Sequence, residues 1–172
     1  EQLRQAILDG KLEEGRFLTE RELVEKLKMS RTPIRAALER LEVNGLVTYT
    51  PNRGIYVTEL TIDKIVDFFD FRMAIEPYVV EKLSARHLDE ATVRWFEQNL
   101  ARQQACVEAN DFERFTAEDA WFHGKLAEVY GNKEIQQTMD RLQDNLYRYA
   151  LNVLRKDNKR ITPSYEDHVR IF

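Results

Sequence analysis

The sequence predicts a mainly α-helical protein of two parts, a small helical domain carrying a β-hairpin and then an all-α helical bundle. Three observations lead there. Apolar residues recur at helical spacing up to Gly45 and again from Thr61 to the end. A single pair of β-branched and aromatic runs flanks the turn residues PNRG between those regions. Basic side chains gather around that junction, while the body beyond it is acidic.

Leu3, Ile7 and Leu8 form the apolar stripe of a first helix, which Asp9-Gly10 ends. Thr19 followed by Glu22 has the capping-box spacing, and Leu23, Val24 and Leu27 give a second helix its inner side. Ser30 is placed to cap a third helix, with Pro33 in the first turn, where a missing N–H is harmless. Ile34, Ala37, Leu38 and Leu41 line its inner face, and Asn44-Gly45 closes it. LVTYT, PNRG and IYVTEL then read as strand, turn and strand. Beyond Thr61 the strand signals vanish. Apolar spacing predicts helices over 61–86, 89–109, 111–130, 132–156 and from 163 onward, with breaks at HLD, AND, YGN and NKRITP. Pro77 falls inside the first of these and marks a kink or a break. The domains so drawn are 1–58 and 62–172, joined by a short connection. The first and last helical patterns run to the chain ends, so both helices are expected to continue beyond them.

At 172 residues, 43% hydrophobic and 33% charged, the chain can bury a substantial core. No run approaches the roughly 20 apolar residues of a membrane span, and the opening EQLRQAILDGKLEEG is amphipathic rather than signal-like. A cytoplasmic location without a membrane partner is therefore expected. The one cysteine, Cys106, allows no internal disulfide, and its helical surroundings point to packing rather than thiol chemistry. A net charge of −4 argues against an unspecific nucleic-acid coat. That average hides a local field. Residues 28–54 carry Lys28, Arg31, Arg35, Arg40 and Arg53 against Glu39 and Glu42, whereas residues 59–172 hold 16 basic and 21 acidic side chains.

Three helices followed by a two-stranded wing make a winged helix-turn-helix, whose third helix enters a major groove while the wing tip reaches backbone or minor groove. Ser30, Arg31, Thr32 and Arg35 crowd the start of that helix, where backbone amides also favour phosphate. An arginine there can hold guanine O6 and N7 through two parallel hydrogen bonds, while the hydroxyls and Arg21 suit phosphates. Arg53 and Gly54 occupy the wing tip, where a turn permits close approach and a guanidinium can insert. Any one of these arginines taken singly reads as solvated surface. The whole constellation reads as DNA binding.

The stretch GRFLTERELVEKLKMSRTPIRAALERLEVNGLVTYTPNRGIYV resembles the winged-helix domain of the GntR family of bacterial transcription regulators, over nearly all of residues 1–58. The resemblance implies that Arg21, Ser30, Arg31, Thr32, Arg35, Arg53 and Gly54 contact DNA.

In EDAWFHGKLAEVYGN, Asp119 and His123 stand four residues apart, on one helix face, where a carboxylate oxygen and an imidazole nitrogen could converge on an ion. Such a pair is also common as a surface contact. His168 lies on a different helix beside Val169, Ile171 and Phe172, where it can turn inward. His87, in the polar break ARHLDE, reads as surface. The pattern D-x-x-F-H-x-x-L with a later G-N and E-D-H-x-x-I resembles the FCD ligand-binding domain of the FadR subfamily within GntR regulators, over residues 62–172. That implies a bundle of six or seven helices and a divalent metal such as zinc, nickel or manganese, held by one aspartate and three histidines. Asp119, His123 and His168 match three of them, and the fourth position falls after Phe172. No organic cofactor is implied.

FDFRMAIE resembles the family's pattern in which the arginine, here Arg72, faces the ligand cavity and could grip a carboxylate. An Arg72-Glu76 pair tying helices together accounts for the same spacing. Asn145 and Tyr149, along the stripe Leu142, Leu146, Tyr149 and Val153, are candidates for a further hydrogen bond to an effector. The preferred reading is a homodimeric, ligand-responsive regulator, a repressor, that binds a palindromic double-stranded operator and senses a small organic acid. Two alternatives stand beside it: a metal-dependent enzyme using Asp119, His123 and His168 to activate water, and a DNA-binding protein whose helical domain only dimerises.

Overall fold

A computed structural model describes all residues except Glu1, Asp9, Asn52 and Asp157, together with the side chains of Leu146, residues 152–156 and Asn158. The expected turn residues Asp9 and Asn52, and Leu146 and Val153 of the long stripe, lie outside what is described. The chain divides into two compact units, Glu1–Lys64 and Ile65–Phe172.

In the first unit, α1 (Gln2–Leu8) buries Leu3, Ala6, Ile7 and Leu8. α2 (Glu20–Leu27) starts in the capping box read from the sequence: Glu22 N donates to the Thr19 hydroxyl while the Glu22 carboxylate accepts from Thr19 N at 2.7 Å. Such a cap stabilises a helix by about 1 kcal/mol. Lys28 leaves α2 in a left-handed conformation, and α3 (Arg31–Val43) begins three residues later. Ser30 holds the N-cap position, but its side chain makes no capping hydrogen bond. Gly45, at φ 72°, takes the left-handed step that ends α3.

The sheet has one strand more than the sequence suggested. β2 (Val47–Thr50) and β3 (Gly54–Val57) pair antiparallel with Val47 opposite Val57 and Thr50 opposite Gly54, and the short β1 (Phe17–Leu18) adds to the other edge of β3. Two residues are too few to show alternation, so β1 carries no periodic signal. Gly54 is fixed twice over: its φ is +98°, and a Cβ there would stand 2.5 Å from the carbonyl oxygen of Leu18. Leu23, Ile34, Leu41, Leu46 and Val57 are each at most 4% exposed and join α1, α2, α3 and the sheet in one core.

The second unit is built from α4 (Ile62–Ser84), α5 (Glu90–Ala109), α6 (Phe112–Tyr130), α7 (Lys133–Lys156) and α8 (Ile161–Ile171), with α4 starting just before it. Asp89 and Asp111 cap α5 and α6 by accepting from Thr92 N and Arg114 N. α4 runs through Pro77 without a break, the proline being exposed. α8 starts at Ile161, after a short 3-10 turn at Asn158–Arg160, which puts Pro163 in its first turn. A proline is tolerated there because the first N–H groups have no helical partner. Val79 and Leu83 of α4 pack with Phe96 of α5 and Phe122 and Leu126 of α6. Cys106 of α5, Phe115 of α6 and Ile161 of α8 form a separate cluster.

Candidate nucleic-acid interface and candidate metal centre

Ser30, Arg31, Thr32 and Arg35 are all exposed around the first turn of α3, and Arg21 is exposed on α2. The uncapped N-terminus of α3 leaves the Ser30 hydroxyl outside the helix's own bonding. Two of the arginines have carboxylate neighbours. Arg35 Nε donates to both oxygens of Glu20, at 2.8 and 3.0 Å, and Arg21 Nε donates to Glu25 at 2.9 Å. The Arg35 bond holds the Glu20 carboxyl below its ordinary range. At the wing, the Arg53 guanidinium lies 5.7 Å from the centre of the Phe17 ring, which leans on Tyr56. Both α3 and the wing thus present cations on the surface of this unit.

The other group of candidates is buried. Asp119 and His123 fall on one face of α6, and His168 comes in from α8, each at most 9% exposed. His123 Nε2 and His168 Nε2 are 3.1 Å apart, and Asp119 Oδ1 stands 3.7 Å from the first and 3.4 Å from the second. Three donors each about 2.1 Å from a common ion lie about 3.0 Å apart at right angles and about 3.4 Å apart at tetrahedral angles. The triangle is of that size. Two imidazoles and a carboxylate suit zinc, nickel or manganese.

The surroundings orient these donors. His168 Nδ1 lies 2.7 Å from Gln103 Oε1, and its ring stacks on Phe122 with centroids 4.4 Å apart. His123 Nδ1 faces Glu76 Oε2 at 3.2 Å but out of line for a hydrogen bond, so this buried nitrogen is left without one. Glu76 in turn accepts from Arg72 Nε and Nη2, at 2.7 and 3.1 Å. Burial would raise the Glu76 carboxyl, but His123 and Arg72 outweigh it and hold it at about 2. Asp119 is likewise held below the ordinary carboxylate range, its two histidines overcoming burial. Burial and Arg72 push His123 down, yet Glu76 and Asp119 lift it above its usual value. Burial takes His168 down to about 4. His123 is thus the more basic of the two rings whose Nε2 atoms face each other.

A cavity of about 910 Å³ opens beside the triangle, lined among others by Arg72, Met73, Glu76, Asp119, His123, Arg160 and His168. Arg72 reaches it with its guanidinium already on Glu76 and 5.6 Å from the Phe69 ring centre. Asn145 and Tyr149 are buried but do not line it. Tyr149 meets Phe68 edge-on at 5.0 Å, and Phe68 lies beneath Arg72. His87 is exposed.

Glu76 was read from the sequence only as a partner of Arg72, and Gln103 was not read at all. A signal for Gln103 existed. Phe96, Asn99, Gln103 and Cys106 follow one another at core spacing on α5, and all are at most 1% exposed. Two amides in an apolar stripe announce buried hydrogen bonding.

Comparison with known proteins agrees with this architecture. The model for bacterial regulatory proteins of the gntR family matches residues 1–57, and the FCD domain model matches residues 67–172. The gluconate operon transcriptional repressor of Bacillus subtilis is 27% identical over 171 residues, which is 99% of this chain and 68% of the relative. The Nta operon transcriptional regulator of Aminobacter aminovorans is 30% identical over 159 residues, covering 91% of this chain and 72% of the relative. A crystal structure from Rhodococcus sp. RHA1, assigned as a GntR transcriptional regulator, superposes with a TM-score of 0.71 at 25% identity, over 95% of this chain and 79% of that one. These relatives are regulators of transcription, which removes the enzyme reading. The chain belongs to the gntR family of bacterial regulatory proteins, as a transcriptional regulator that joins a gntR-type DNA-binding domain to an FCD domain.

Proposed function

We propose that this regulator acts as a cytoplasmic homodimeric repressor, and that its helical unit senses a small organic acid through a divalent ion held by Asp119, His123 and His168. The convergence of two imidazole Nε2 atoms and one carboxylate oxygen in a buried triangle carries the reading. A divalent ion there supplies a Lewis-acidic point to which a ligand oxygen can bind. The cavity gives that ligand room, and Arg72 at its wall offers a cation whose fork is already on Glu76, so a carboxylate must share or displace that contact. Tyr149 acts on the ligand through Phe68, which packs behind Arg72, whereas Asn145 is buried and does not line the cavity. A relative named for the gluconate operon makes polyhydroxy acids the first ligands to try.

On DNA, Arg31 and Arg35 of α3 read base edges, Ser30, Thr32 and Arg21 hold phosphates, and Arg53 with Gly54 brings the wing to the backbone. A two-fold dimer then matches a palindromic operator. No helix among the described residues is long and apolar enough to cross a membrane, in keeping with a regulator that reaches DNA. The test is anisotropy of a labelled palindrome, selected from a random pool, titrated with the full chain. Saturated ion plus a panel of sugar acids should weaken binding at least several-fold for one acid. A helical unit that merely dimerises would leave operator affinity unchanged by every ion and acid.

A further inference from the structure

A chain of buried hydrogen bonds runs from the protein surface to the back of His168. Arg102 Nε donates to both oxygens of Glu118, each at 2.9 Å. Asn99 Nδ2 donates to the backbone carbonyl of Glu118 at 3.1 Å and to its carboxylate at 2.8 Å. Gln103 Nε2 donates to Asn99 Oδ1 at 2.6 Å, which leaves Gln103 Oε1 toward His168 Nδ1 at 2.7 Å. Asn99 and Gln103 are 0% exposed, Glu118 3% and His168 4%, so bulk water does not reach these groups.

Each link permits one polarity. A guanidinium only donates, so Glu118 accepts. The Asn99 amide meets two acceptor oxygens of Glu118, so its nitrogen must face them and its oxygen must face Gln103. Gln103 must answer with its own nitrogen, and its oxygen is then the only group it can offer His168. An oxygen there requires N–H at Nδ1. In the neutral ring, that places the lone pair on Nε2, at the apex of the triangle with His123 and Asp119.

We infer that Asn99, Gln103 and Glu118 are positioning residues whose buried hydrogen-bond chain fixes His168 as the Nδ1–H tautomer, keeping Nε2 open to accept an ion. The inference rests on the metal reading for its purpose but not for its geometry. The chain is built from residues of α5 and α6 alone, and its amides touch the proposed ligands only through His168. A reversed Gln103 would turn an NH2 toward Nδ1, move the ring proton to Nε2 and close the site. Its place in the middle of α5, anchored at the α6 carboxylate, makes that reversal require several buried bonds to break together. Outer contacts of this kind alter ion affinity by about 10–100-fold in known metal sites.

Two measurements on the full chain test this. Long-range proton–nitrogen NMR of the wild type at pH 7.5, stripped of metal by chelator, reads the His168 tautomer directly. The expected result is the Nδ1–H form; a dominant Nε2–H form overturns the inference. The second is zinc competition with a chromophoric chelator on Gln103→Leu, Gln103→Glu and Asn99→Leu, with circular dichroism confirming the fold. Gln103→Leu should weaken zinc by about 10-fold or more and Asn99→Leu by less; Gln103→Glu keeps an acceptor for Nδ1–H but loses the donor to Asn99 Oδ1, so its loss should be clearly smaller than that of Gln103→Leu. Equal losses in Gln103→Leu and Gln103→Glu mean that the residue only packs, and overturn it. If wild type binds no zinc while His168 is the Nδ1–H tautomer, the metal reading falls and the hydrogen-bond chain stands.

Discussion

Glu20 reaches across from α2 to hold Arg35 of α3, with both carboxylate oxygens within 3.0 Å of the arginine Nε. The pair is largely exposed, so it contributes little to folding and much to where the guanidinium points. With Nε tied back, the two terminal nitrogens are the ones left for the base contact proposed for Arg35. Arg35→Ala should weaken operator binding by about 10-fold or more and leave the melting temperature nearly unchanged. Glu20→Ala should act oppositely on unspecific DNA, tightening it by removal of a negative charge while the ratio of operator to random affinity falls. Anisotropy titrations at several salt concentrations measure both.

Gly54 should tolerate substitution worse than Gly10, although both have positive φ. At Gly10 an added methyl meets open space and suffers only the backbone strain, about 1 kcal/mol. At Gly54 it meets the Leu18 carbonyl oxygen as well, and neither side is a flexible side chain. Urea unfolding of Gly54→Ala should show roughly 2–3 kcal/mol lost, at least twice the loss in Gly10→Ala.

The pH dependence of the metal-free protein should have opposite slopes from the two histidines. His168 has its folded value depressed to about 4 from 6.5, so its contribution is complete above 6.5 and drains as pH falls through 4. His123 is raised, so its contribution is complete below 6.5 and is lost as pH rises through its folded value. Glu76 adds an acid loss below about 4.5, as its carboxyl approaches protonation near 2. Melting temperatures in chelator should therefore fall from pH 6.5 to 4. The fall above pH 4.5 should flatten in His168→Gln, and His123→Gln should flatten the loss on the alkaline side.

The Cys106 thiol is 1% exposed and burial pushes its pKa up, so a thiol-specific chromogenic reagent should leave the native chain unlabelled and react fully only after unfolding. Labelling at the rate of a free thiol would show that the cluster of Cys106, Phe115 and Ile161 opens readily.

Much of this was legible because the signals are local. The capping box at Thr19, the amphipathic stripes and the turn around PNRG each live within a few residues, and α4 to α7 fall within three residues of their expected ends. β1 was missed because two residues carry no period. The α8 start was placed late because Pro163 reads as a boundary, whereas it sits in a first turn. For the metal centre, the i, i+4 spacing of Asp119 and His123 is local and visible, but Gln103 meets His168 across 65 positions. A partner at that range leaves only the indirect trace of an amide where the α5 stripe calls for an apolar side chain.

The direct test of the central claim is metal content and affinity of the full-length chain, by plasma mass spectrometry after purification and by zinc titration against a chelator. One ion per chain is expected in the wild type, with Asp119→Ala and His123→Ala losing it while retaining wild-type helicity. A wild type that binds no divalent ion above buffer background, or a His123→Ala chain that binds it as tightly, would contradict the assignment of Asp119, His123 and His168 as its ligands.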